Sequence, residues 1–86
     1  MVGYTMQKLM EKDKLVALVV DKALAYLRYD DANPDVGWGM MTHTAVELAE
    51  RDTLNEAARW NSIEALRLDF AAIRDEVTAT VRMHRE

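Results

Sequence analysis

Asp31, Asn33 and Asp35 stand at alternate positions, the spacing with which a calcium loop presents side-chain oxygens. An EF-hand also requires glycine at its sixth position and a bidentate glutamate at its twelfth. Counted from Asp31, those places hold Val36 and Thr42, and Pro34 stiffens the segment. A polar turn between helices accounts for the same residues. His43 and His84 are the only imidazoles, and neither stands in a Glu-x-x-His or His-Glu-x-x-His arrangement. His43 and Glu47, four residues apart, share a helix face, but two groups do not complete a tetrahedral metal site. Cysteine is absent, which removes disulfides, thiolate ligands and thiol nucleophiles together. No metal and no cofactor is expected.

Glu47, Glu50, Asp52 and Glu56 are dense enough to suggest a magnesium site, yet their spacing spreads them over different faces of a helix. They read as a solvated acidic surface. Ser62 is the only serine and lies at an expected helix start, so no Ser-His-Asp triad can be assembled. The run from Glu47 to Arg51 followed by Thr53 to Ile63 loosely matches a helix-turn-helix. Thr53 then occupies the turn position that usually holds glycine, and Arg59 and Ser62 fall where the motif buries apolar residues. The segment is acidic, opposite to what phosphate contact demands. A divergent DNA-binding regulator is thus an alternative, as is a structural subunit of a larger assembly, and no enzymatic motif is present.

The elements that must carry these residues are helices. From Met40 to Glu86 the chain has neither glycine nor proline, and Pro34, Gly37 and Gly39 are crowded into one connection. The pattern predicts an all-α fold in one domain over residues 1–86, a small three-helix bundle: helix from about 5 to 29, loop 30–43, helix about 44–60 and helix about 62–85. Thr44 with Glu47 forms a capping-box signature at the second helix. Thr53 with Glu56 repeats it, and a break is expected between Asp52 and Ser62, so that the second helix is itself a candidate for interruption. Ile63, Leu66, Phe70, Ile73, Val77 and Val81 form the main apolar stripe of the third helix.

The first helix is apolar on more than one side, from Leu15 through Leu27, and needs more cover than an ordinary surface helix. The third helix has a second line of Ala65, Leu68, Ala72, Ala79 and Met83, placed by helical geometry away from the main stripe. These surplus faces predict a homodimer that completes the bundle, with that second line as its interface.

The 86-residue chain carries a net charge of -4, distributed unevenly. Residues 1–29 carry +2, residues 30–62 carry -5 and residues 63–86 carry -1. An acidic middle discourages nucleic-acid binding and favours a protein partner with a basic surface. The partner-binding candidates are Trp38, held between two glycines, with Asp30, Asp31, Asp35, Glu47, Glu50, Asp52 and Glu56. Size and acidity fit an inhibitor, antitoxin or immunity-type protein. The apolar run Leu15 to Val20 is interrupted by Asp21 and Lys22 long before the roughly 20 residues of a membrane span. With charges where a signal peptide would be apolar, the expected location is the cytoplasm.

Overall fold

The computed structural model describes residues 12–33, 39–60 and 68–85, and among them every regular element is a helix. Helix α1 spans Lys12–Ala32, α2 spans Thr42–Trp60 and α3 spans Phe70–Arg85. All three pack on one another, and the most extensive interface is between α1 and α2. The expected start of the first helix near residue 5 lies outside the described residues.

Helix α1 runs three residues past its expected end at Tyr29. Asn33 closes it: its backbone N–H reaches the Asp30 carbonyl at 3.3 Å, and its side-chain amide donates to the Tyr29 carbonyl at 2.8 Å. Both bonds satisfy carbonyls of the last turn, and Pro34, next in sequence, has no N–H with which to continue the helix.

Helix α2 begins earlier than the capping-box pattern predicts. The Ala45 N–H already donates to the Met41 carbonyl at 3.1 Å, so Thr44 lies within the first turn and does not cap it. The approach is set by Gly39, whose φ of +64° is unfavourable for other residues although a Cβ there would meet nothing. Asp30 fixes the same stretch, accepting a hydrogen bond from the Met40 N–H at 3.0 Å through Oδ2.

No break occurs at Thr53. Helix α2 is continuous through Trp60, and Thr53 is a buried residue in its middle whose hydroxyl donates to the Ala49 carbonyl at 2.7 Å. That bond removes the reason for Thr53 to cap a helix, since its polar group is satisfied within the turn behind it. The turn of the helix-turn-helix alternative is therefore absent from the place it was expected. Any interruption after Trp60 lies outside the described residues.

The third helix departs from expectation in the opposite sense. Leu68 and Asp69 are not helical, and Asp69 Oδ1 accepts the Ala72 N–H at 3.2 Å, which makes Asp69 the N-cap of α3. Leu68 packs against the chain's own core instead of standing off it.

The core is built from small and β-branched residues. Val19, Val46, Val77 and Val81 are among its most completely buried side chains, with Ala23, Ala45 and Ala49 between the helices. Short side chains at these points permit close approach of the helix axes. Leu15, Val20, Leu24 and Leu27 of α1 and Ile73 of α3 fill the rest, while Phe70 is only half-buried at the rim. Among the described residues no helix is long and apolar enough to cross a membrane.

Candidate functional site

The antiparallel packing of α1 on α2 is written in two side-chain pairs of reversed order. Tyr26 donates its phenolic hydrogen bond to Asp52 Oδ2, and one turn away Lys22 Nζ donates to Glu56 Oε2 at 2.9 Å. Residues four apart share a helix face, so 22 with 26 and 52 with 56 can meet only if the helices run in opposite directions. On the other side of α2, Arg74 grips Glu50 with two hydrogen bonds, from Nε to Oε2 and from Nη2 to Oε1, each 2.8 Å. The carboxylate thus holds the guanidinium in its charged form and raises its pKa further, chiefly through these bonds.

These contacts redefine the acidic middle. Glu50, whose side chain retains 12% exposure, is committed to Arg74, Asp52 to Tyr26, Glu56 to Lys22, and Asp30 to the Met40 N–H. Of the expected partner-binding residues only Asp31 and Glu47 are exposed with no contact of this kind among the described residues. Asp35 and Trp38 lie outside the described residues. Sequence alone presents Glu50, Asp52 and Glu56 as one surface because their pairing partners are 24 to 34 residues distant.

Between α1 and α2 lies an open groove. One part, of about 610 Å³, is lined by Lys22, Asp52, Asn55, Glu56 and Arg59. A second part, of about 340 Å³, shares Lys22 and Asp52 and is walled by Ala25, Tyr26 and Tyr29. Its charges balance, and both carboxylates already accept a hydrogen bond. What it offers is an amide, a guanidinium and an apolar aromatic wall. The hydrogen bond to Asp52, reinforced by burial, raises the Tyr26 phenol above its ordinary pKa.

Lys22, Tyr26, Tyr29, Asn55, Arg59 and Arg74 were not anticipated. A signal for two of them was present, since Lys22/Tyr26 and Asp52/Glu56 are matched pairs at helical spacing.

The α1–α2 junction carries the most exposed part of this region. Tyr29 is 65% exposed and Met41 61%, and Asp31 is exposed in the same junction. No basic residue occupies the last turn of α1, so the negative end of the helix dipole adds to Asp30 and Asp31. By contrast α3 ends on Arg82, His84 and Arg85, and Arg85 Nη1 donates to Thr42 Oγ1 at 3.1 Å across to the start of α2.

The expected dimer line is divided. Ala72 and Ala79 are exposed on α3 and Met83 is 74% exposed, whereas Leu68 is half-buried before the helix and Ala65 lies outside the described residues. His43 and His84 are both exposed, and among the described residues no three His, Asp or Glu side chains converge as a metal site would require.

Comparison of the chain with protein-family models, with curated proteins and with solved structures finds no match.

Proposed function

We propose that this chain is a non-enzymatic protein-interaction module of the inhibitor, antitoxin or immunity class, which works as a homodimer and occludes a basic surface on a partner protein. The observation that carries the reading is the junction of α1 and α2, where Tyr29, Asp31 and Met41 are all exposed and the last turn of α1 holds no basic residue. Exposed aromatic and methionine side chains supply contact area, and the negative end of the helix selects cations.

Capture from a lysate of the source organism, with the wild-type chain and with an Asp31→Lys, Met41→Ala bait in parallel, tests the proposal. A protein retained by the wild type, released by salt and lost with the variant is the expected result. Identical retention by both baits would remove the junction from consideration.

A further inference from the structure

Six positions of α1, Lys14, Leu18, Asp21, Ala25, Arg28 and Ala32, follow one another at intervals of four and three, and every one is exposed. That spacing keeps them on a single stripe, opposite the buried Val19, Ala23 and Leu27. Leu18 is 41% exposed within it and Tyr29 stands at its edge. Neither Asp21 nor Arg28 meets an ion-pair partner among the described residues.

We infer that this stripe is the face on which a second copy of the chain docks, with the two α1 helices antiparallel about a two-fold axis through Ala25. This rests on the self-association proposed above and names its surface. In such a pair the residues facing each other have numbers summing to about twice 25, so Leu18 lies over Ala32 of the partner subunit and Ala25 over its own copy. Asp21 then falls within one residue, about 1.5 Å of rise, of Arg28 of the partner subunit. Asp21 and Arg28 are two turns apart on the same flank of the stripe, and an antiparallel two-fold brings like flanks together, so the ion pair forms twice. In a parallel pair the two copies of this flank lie on opposite sides of the seam, and Asp21 and Arg28 stand about 10 Å apart along the axis, so neither ion pair forms.

Charge over the whole helix agrees. Lys12, Lys14, Lys22 and Arg28 balance Asp13, Asp21, Asp30 and Asp31, so α1 is neutral in a protein of net charge -4 and meets its copy without net repulsion. The small Ala25 at the axis admits a close crossing. The outward face of α3, by comparison, offers Met83 as its one large exposed apolar side chain among the described residues. A contact along one helix of about 30 Å is below the standard interface size, so a weak, concentration-dependent dimer is expected.

Sedimentation equilibrium with charge exchange decides the matter. Asp21→Arg alone and Arg28→Asp alone each place like charges together twice, and each should weaken the dimer about tenfold. An equimolar mixture of the two variants restores both pairs in a heterodimer, and its affinity should return to within about threefold of the wild type. Met83→Glu on α3 should leave the affinity unchanged. A wild type that stays monomeric up to hundreds of micromolar overturns the inference together with self-association itself. A dimer that ignores the α1 variants, or a mixture that fails to recover, overturns the α1 face while leaving self-association in place.

Discussion

Tyr26 of α1 and Asp52 of α2 share a part-buried hydrogen bond from phenol to carboxylate, and it lies one turn from the Lys22–Glu56 ion pair. The two contacts together clamp the antiparallel register of the largest helix interface. Because both partners of the first are only partly shielded, Tyr26→Phe should cost about 1 kcal/mol in chemical denaturation at neutral pH.

The same bond gives a pH signature. Hydrogen bonding to Asp52, and then burial, raise the Tyr26 pKa in the folded state above its unfolded value of about 10. Its contribution is therefore fully present below about pH 10 and is lost as pH rises from there through the folded pKa. The stability difference between wild type and Tyr26→Phe should be constant from neutral pH up to about pH 10 and shrink through this alkaline window. A difference that is flat across that window would show that the phenol is not held by Asp52.

The Glu50–Arg74 pair joins α2 to α3 with bidentate geometry and a mostly shielded carboxylate. Since the guanidinium side remains half exposed, solvent screening keeps the pair's contribution small. A double-mutant cycle with Glu50→Gln and Arg74→Gln should return a favourable coupling that shrinks at high salt, and no coupling would assign the contact to the surface alone.

Asp69 caps α3 through the Ala72 N–H. Asp69→Ala should destabilise the fold by about 1 kcal/mol, whereas Asp69→Asn, which keeps an acceptor, should cost only a few tenths. Equal effects of the two substitutions in thermal melts would rule out the capping role.

Leu27 is almost completely buried where α1 meets the core. Leu27→Ala should cost about 2–5 kcal/mol, a large share of the stability of a domain this small. Leu18→Ala, on the exposed stripe of the same helix, should change the monomer's stability by less than about 0.5 kcal/mol. Comparable losses at both positions would mean that the buried face of α1 is misassigned.

Much of the architecture was legible in local chemistry. The crowding of Pro34, Gly37 and Gly39 into one connection marks where helix must stop, and Ile73, Val77 and Val81 at four-residue spacing mark which side of α3 is buried, as the structure shows. Such signals work because a helix is held by bonds between residues four apart, so propensity and periodicity read it within a short window. The exact ends were harder to read. Thr44 and Thr53 have the composition of caps, yet Thr44 lies within the first turn and the Thr53 hydroxyl is satisfied inside a continuous helix. Asp69, between apolar residues on both sides, carries a cap that the periodic pattern runs straight across. Only the tertiary structure decided what the acidic middle does. Whether Glu50, Asp52 and Glu56 face solvent or Arg74, Tyr26 and Lys22 depends on the rotation and register of helices joined by loops. No short-range bond specifies that geometry; it is set by how the valines and alanines of three helices close on one another.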